Sequence, residues 1–366
     1  MATGTMKAAV FEGKGKLTIK DVPEPKLEDT KFRKREGGYL EFGKGDLVKL
    51  KVLATGICGT DVGILGIPQG YPTPPGTIIG HEFVAEVVEK GKRVFNLKVG
   101  DRVVIDEHIS CGLCYFCRTG FPNRCQEIAS MGMSATGGFT EYVIAPAKQC
   151  YKISQKIPLE RAALFEPLSN VYYALNMVRP QPHEKALIFG AGPIGCMFLA
   201  VCKLCGLETV IISEPSAYRR KFIRSLDPTK AINPVKENLK KLVEKFAPEG
   251  IDISIDACGV PVALKDAIEV AKPHGKVLLF GEQDDLSEVT IKFVPANRKE
   301  LKFYGSDAMS FMARQTVELL ERKDLPLEKL VTHRFPLEQI HEGIDLMREG
   351  KAMKIIIYPQ EISKKA

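Results

Sequence analysis

KALIFGAGPIG, Lys185 to Gly195, is the stretch that decides the fold. Ala186–Phe189 is an apolar run suited to a buried strand. Gly190, Gly192 and Gly195 then give G-x-G-x-x-G spacing, with Ala191, Pro193 and Ile194 between them. In this pattern the first glycine permits a tight turn and the second lets backbone N–H groups approach a pyrophosphate. The third lets a helix pack on the strand. The motif alone is weak, but its surroundings fit: CMFLAVCKLCGL continues as a helix, and a second apolar strand, ETVIISE, ends in Glu214. A carboxylate there would bind adenosine ribose hydroxyls and repel a 2′-phosphate, which favours NAD. Arg219 and Arg220 follow closely and could neutralise such a phosphate, so NADP stays open; a solvated helix start explains the same two arginines.

Outward from this loop the alternation repeats, with helices expected over 217–226, 236–247 and 261–272 and strands near 230–233, 251–256 and 276–281. Strands alternating with helices predict a doubly wound parallel sheet covered on both faces. Its carboxyl ends would bring Cys258, Gly259, Phe280 and Gly281 towards a cofactor, although ordinary loop chemistry accounts for them equally well.

The chain has 366 residues, enough for two domains that each bury a core. A 45% hydrophobic share and a net charge of +7 exclude general disorder. The opening MATGTMKAAVFEGKGK has no apolar targeting core, so a cytoplasmic protein is expected. Ala186–Cys202 carries no charge, but it is short for a membrane span and its glycines and proline would break a helix, so burial is the better reading. The charge is too weak and dispersed to argue for nucleic acid.

Ten cysteines in a reducing compartment point to metal or catalysis before disulfides. Cys111, Cys114, Cys117 and Cys125 form C-x2-C-x2-C-x7-C, a set able to close a tetrahedral zinc and leave no position for substrate, hence a structural site. Four buried small hydrophobes, or an iron–sulfur cluster, are the alternatives. Cys58, His81 and Glu82 lie apart; a thiolate, an imidazole and a carboxylate from separate loops make the ligand set of a catalytic zinc with an open position.

These elements, in this order, resemble the zinc-dependent medium-chain alcohol dehydrogenases: ICGTD around Cys58, GHE at 80–82, VGDRVV at 99–104, the four-cysteine lobe, EPLSN at 166–170 and GAGPIG. The resemblance runs from Met6 to about Tyr358 and is nearest the polyol (sorbitol-type) and threonine dehydrogenases. It implies an α/β chain built from a GroES-like, mostly β catalytic domain and a Rossmann dinucleotide-binding domain. The expected boundaries are 1–167 with a zinc lobe at 108–127, 168–307, and a return to the catalytic domain over 308–366, with the active site in the cleft. Carried over by position, Cys58, His81 and Glu82 match the catalytic zinc ligands, and Glu166 the carboxylate that closes the fourth position or swings away. Thr60 matches the hydroxyl that takes the substrate's proton. Lys354 matches a cation on the cofactor pyrophosphate, and Asn170 and Ser306 fall near the nicotinamide.

Departures from the family pattern are informative. GHExxG reads GHEFVA, with Ala85 for the usual glycine, so a small residue is kept. The histidine that polyol and threonine dehydrogenases carry five residues after the zinc cysteine is Gly63; the proton must leave through water or through His108, which resembles the histidine before the lobe in threonine dehydrogenases. The arginine expected after the strand ending YG is missing from GSDAMS, and Asp307 argues against a substrate carboxylate. Lys26–Lys44 is about 15 residues longer than the usual turn and reads as a solvated hairpin.

The expected activity is reversible oxidation of a secondary alcohol in a polyol, sugar or cyclitol, with NAD and two zinc ions per chain, in a homo-oligomer taken as a tetramer. L-Threonine 3-dehydrogenase is the alternative within enzymes; EPL, ISEPS and His108 favour it, while Gly63 and the missing arginine count against it. A zinc-ribbon nucleic-acid module and a metal-free relative without activity are the rivals from other classes.

Overall fold

The computed structural model describes residues 4–282 and 288–360. Residue contacts divide the chain into two units, Met1–Pro167 with Ser310–Arg322 and Leu327–Ala366, and Leu168–Met309 with Lys323–Pro326. Among the described residues no helix is long and apolar enough to cross a membrane.

The second unit holds a six-stranded sheet in the order Lys230–Ile232, Thr209–Ser213, Lys185–Phe189, Ile251–Asp256, Ala271–Leu279, Lys302–Gly305. Every pairing in it is parallel. Parallel strands need crossovers, and the helices Pro193–Leu204, Ala217–Arg224, Leu239–Phe246 and Pro261–Val270 supply them. Two of these start where a side chain takes an otherwise orphaned N–H: Ser216 accepts from Arg219 and Asn238 from Lys241. The uncharged window is thus a buried strand, a turn and a helix. Chain order turns back between Lys185–Phe189 and Ile251–Asp256, the switch point at which such sheets open a crevice for ligands.

IDISID, residues 251–256, alternates apolar and polar residues, yet all six are buried. Its acids serve the backbone: Asp252 accepts from Lys185 N–H at 3.0 Å, and Asp256 Oδ1 accepts from Cys258 and Gly259 N–H at 3.0 and 2.9 Å. Buried carboxylates are tolerated where they answer donors in this way.

In the first unit a seven-stranded sheet is built around Leu47–Ile57. This strand pairs antiparallel with Glu82–Lys90, with Tyr142–Pro146 and with the returning strand Lys354–Tyr358. Gly56 lies opposite Glu82 in one neighbour and Ile356 in the other, so ligand and return strands meet over a single glycine. Leu47, Leu50 and Val52 pack one core with Phe83, Val87 and Val103; Ile57, Ile64, Phe139, Ile355 and Ile357 pack a second. Ala85 is fully buried, which fits a position restricted to small residues.

The insertion at 26–44 departs from its reading as a solvated hairpin. Lys31–Arg33 and Tyr39–Glu41 do pair antiparallel, but Leu27 and Phe32 are buried in the first core, with Leu40 and Phe42 against it. Arg35 N–H donates to Ile128 O at 2.8 Å, and Lys34 bridges to Ala129. Its apolar residues, spaced unevenly among the lysines and arginines, carry too little periodicity to show this docking.

Candidate active site

Cys58 ends the Leu47–Ile57 strand and caps the short helix Gly59–Ile64. Cys58 N–H donates to Asp61 Oδ2 at 2.8 Å, a reciprocal cap that fixes the cysteine's backbone. His81 and Glu82 arrive at the start of the Glu82–Lys90 strand, where Gly80 turns with φ +92°. The donor atoms of Cys58, His81 and Glu82 all lie within 4.8 Å of one another. His81 Nδ1 faces Asp61 Oδ1 at 3.7 Å, too long for a hydrogen bond, so the carboxylate acts on the ring through its charge. Burial lifts Asp61 to about 6, with His81 pulling the other way. Thr60 Oγ1 stands 3.6 Å from Cys58 Sγ. Glu166 is buried but not drawn into this donor group; burial, then the charge of Glu107, raises it to about 8.

Lys354 is a correction. Its ammonium does not project as a free cation for a pyrophosphate: it is buried, 2.5 Å from Glu82 Oε1, and donates to Ile57 O at 3.2 Å. The cause is the strand register. Glu82 and the return strand flank Gly56, and a β-carbon on Gly56 would stand 2.2 Å from Glu82 Oε2 and 3.3 Å from Lys354 Cε.

Gly63, where the resemblance leads one to expect a histidine, is equally determined by its neighbour, since a β-carbon there would be 2.7 Å from the Tyr71 ring. His108 begins the short strand His108–Ile109, paired with Ala129–Ser130. Its Nδ1 is 2.5 Å from Glu107 Oε1, and its N–H donates to Asp106 Oδ1 at 3.1 Å. Burial works against charge on His108, but Glu107 outweighs it and holds the imidazole above its ordinary value. Donor atoms of Asp106, Glu107 and His108 also lie within 4.8 Å of one another. Sequence reasoning missed Asp61 and Glu107. Asp61 was available as the third residue after Cys58 in a capping pattern; Glu107 gave no spacing signal.

The four lobe cysteines form a second donor group, with Cys111 and Cys117 sulfurs 4.0 Å apart and Cys114 and Cys125 sulfurs 3.9 Å apart. Zinc–sulfur bonds of about 2.3 Å in a tetrahedron put sulfurs roughly 3.8 Å apart, so the lobe fits zinc. N–H groups of Cys111, Leu113 and Cys114 point at these sulfurs at 3.3 to 3.4 Å. Backbone donors from Cys117 and Gln126 draw the Cys114 thiol down to about 6, which favours the thiolate a metal needs.

In the second unit Gly190 has φ +100°, and a β-carbon on Gly195 would stand 2.1 Å from Gly190 O, so both glycines are required by the turn. Gly192 caps the helix Pro193–Leu204, with Pro193 and Ile194 in its first turn and the Arg219 guanidinium nearby. Glu214 is buried; Oε2 accepts from Ala191 N–H at 2.8 Å and Oε1 from Ser216 N–H at 2.7 Å, so it also braces the loop it was expected to serve. Arg220 is spent on the carbonyls of Glu214 and Pro215. Gly281 and Cys258–Gly259 pack together at the strand ends, since a β-carbon on Gly281 would be 2.0 Å from Gly259 N. Burial, then Asp256, pushes the Cys258 thiol up to about 12, which leaves it inert. Phe280, half-buried at the strand end, packs its ring edge-on against Phe198 at 5.0 Å. Ser306 N–H donates to Leu279 O at 3.1 Å while its hydroxyl has no partner among the described residues, and Asn170 lies on the helix Phe165–Val178.

The family model for the alcohol dehydrogenase GroES-like domain matches residues 44–155, and that for zinc-binding dehydrogenases matches 193–322. An L-threonine 3-dehydrogenase of Aeromonas hydrophila subsp. hydrophila is 34% identical over 324 residues, covering 87% of this chain and 93% of its own. The chain belongs to the zinc-dependent medium-chain alcohol dehydrogenases. As in that family, its two parts are a GroES-like domain and a Rossmann-like domain, and it is an oxidoreductase acting on CH–OH. Among solved structures the dehydrogenase is similar to a zinc-binding dehydrogenase of Sinorhizobium meliloti 1021 bound to NADP, with TM-score 0.88, 28% identity and coverage of 97% and 100% of the two chains. It is similar also to 2R,3R-butanediol dehydrogenase of Bacillus subtilis, with TM-score 0.85, 27% identity and the same coverage.

Proposed function

We propose that this dehydrogenase oxidises a secondary alcohol of a polyol, sugar or cyclitol reversibly to a ketone, with NAD as acceptor. The reading is supported by one juxtaposition above all: the donor atoms of Cys58, His81 and Glu82 gathered within 4.8 Å, beside the Thr60 hydroxyl. Cys58, His81 and Glu82 would hold the catalytic zinc, and the four lobe cysteines a structural one. When bound, zinc supplies a Lewis acid to the alcohol oxygen and NAD the hydride acceptor.

The residues then have separate tasks. Asp61 faces His81 and acts on it through charge. Thr60 accepts the alcohol's proton, and His108, oriented by Glu107, takes it onward in place of the histidine missing at Gly63. Glu166 stands beside the ligands as the exchangeable carboxylate. Gly190, Gly192 and Gly195 admit the pyrophosphate, Arg219 neutralises it, and Glu214 discriminates against a 2′-phosphate. Exposed Leu113, Tyr115 and Phe121 on the lobe suit subunit contact in a cytoplasmic homo-tetramer.

Relatives named L-threonine 3-dehydrogenase keep that substrate as the second reading. No arginine stands in GSDAMS, residues 305–310, where Asp307 is acidic instead, so a substrate carboxylate is poorly served. A rate screen with NAD and NADP against polyols, inositols, aldoses and L-threonine tests both readings. Turnover of polyols or sugars with NAD is expected; turnover of L-threonine alone would overturn the ranking.

A further inference from the structure

The four-sulfur lobe and the 26–44 insertion meet at Lys148, and the insertion touches the chain at both ends of the lobe. Beyond the last cysteine, Lys34 pairs with Glu127 and bridges to Ala129, and Arg35 N–H donates to Ile128 O at 2.8 Å. Before the first, Lys148 Nζ donates at 2.7 Å to the carbonyl of Ser110, the residue preceding Cys111. The same ammonium stands 5.1 Å from the centre of the Phe42 ring, which belongs to the insertion. Phe42 in turn packs edge-on against buried Phe32, with ring centres 5.5 Å apart. Lys148 is thus held between the lobe and an aromatic face that is itself anchored in the core.

Charge gives that position a purpose. Four thiolates around one divalent ion leave two negative charges in excess. N–H groups answer part of the excess: Cys111 N–H faces the Cys125 sulfur, and the N–H groups of Leu113 and Cys114 face that of Cys111. Dipoles of this kind do not cancel a net charge. Lys148 carries a full one, and its ammonium lies close enough to Cys117, Cys111 and Cys125 for their charge to favour its own. An exposed lysine on a flexible stem spreads its charge over many positions. Here the Ser110 carbonyl and the Phe42 ring confine it.

We propose that Lys148 is the counter-cation of the lobe zinc and that the insertion, through Phe42, holds it in place, so that this hairpin sets how firmly the lobe keeps its metal. The inference rests on the zinc reading of the lobe and gives the insertion a task. Groups outside the ligand shell change metal affinity by about 10- to 100-fold. Lys148 faces solvent in part, which places it at the lower end.

The test is release of zinc from the zinc-loaded full chain to excess chelator, at concentrations where the rate no longer depends on the chelator. The lobe's phase is the one that persists in Cys58→Ser. Lys148→Met should speed this phase by about tenfold and leave the other unchanged, while Lys148→Arg, which keeps the charge, should restore most of the wild-type rate. The excess rate of Lys148→Met should shrink as salt is raised from about 0.02 to 0.5 M, because ions screen the charge that the lysine no longer balances. Phe42→Leu should speed the phase by a smaller factor and add little to Lys148→Met, since both act through one contact. Equal rates in the wild type and Lys148→Met overturn the inference and leave the zinc site standing. An excess that neither arginine nor salt diminishes marks a packing role and overturns it as well. A Phe42→Leu effect that adds in full to Lys148→Met overturns the part given to the hairpin. A Cys58→Ser protein that binds no zinc overturns the zinc reading of the lobe, and the inference with it.

Discussion

Replacing Lys354 by methionine probes the site through its buried ion pair. Methionine keeps much of the stem and removes the ammonium. In the metal-free protein Glu82, 0% exposed, then loses the cation 2.5 Å from Oε1. Removing one partner of a buried pair costs about 3–5 kcal/mol, because the other charge is left uncompensated. Replacing Glu82 by glutamine in the same chain removes that charge, so the double variant should recover much of the loss. Zinc offers Glu82 a second cation. In zinc-loaded protein the cost of Lys354→Met should therefore fall to roughly half or less, while the affinity for zinc rises correspondingly by linkage. The assay is urea unfolding by far-UV circular dichroism, with zinc and after chelation. Shifts in midpoint are compared, since a chain of two units need not unfold in one step. An equal shift with and without zinc would refute the idea that Glu82 meets the metal. A shift in chelated protein corresponding to less than about 1 kcal/mol would refute the uncompensated charge itself.

Cys114→Ser should lose the lobe's zinc equivalent and lower the thermal midpoint, while the Cys58 site keeps its metal; unchanged zinc content by elemental analysis would contradict the four-sulfur site. Asp106 gives a pH dependence. Burial, then the charge of Glu107, pushes it from 3.8 up to about 7, so the folded protein holds a proton that the unfolded chain releases earlier. Its stabilising effect is complete below the unfolded value and is lost as pH rises towards about 7. Asp106→Asn, which retains a side-chain oxygen for His108 N–H, should flatten the fall in thermal midpoint between pH 5 and pH 8. An unchanged slope would contradict the shift.

What could be read from the sequence is what sits at fixed short spacing. GAGPIG imposes its own geometry, because Gly190 and Gly195 are required by the turn they make, and the lobe cysteines span only 15 residues, Cys111 to Cys125. Cys58 and Glu82 were legible for another reason, the surrounding family motifs. Tertiary pairing hid the rest. Lys354 lies 272 residues from Glu82, and only sheet register over Gly56 brings them together. The basic hairpin hid its few apolar anchors, Leu27 and Phe32, among charges that do face solvent.

A zinc centre around Cys58 that oxidises alcohols is tested by Cys58→Ser, with zinc content, NAD affinity and the rate of NADH formation measured on one preparation. The substituted protein should lose the catalytic zinc equivalent, retain the one in the lobe, bind NAD unchanged, and turn over about a thousandfold or more slowly. Near wild-type turnover in Cys58→Ser, or in wild-type protein freed of zinc at this site, would contradict it.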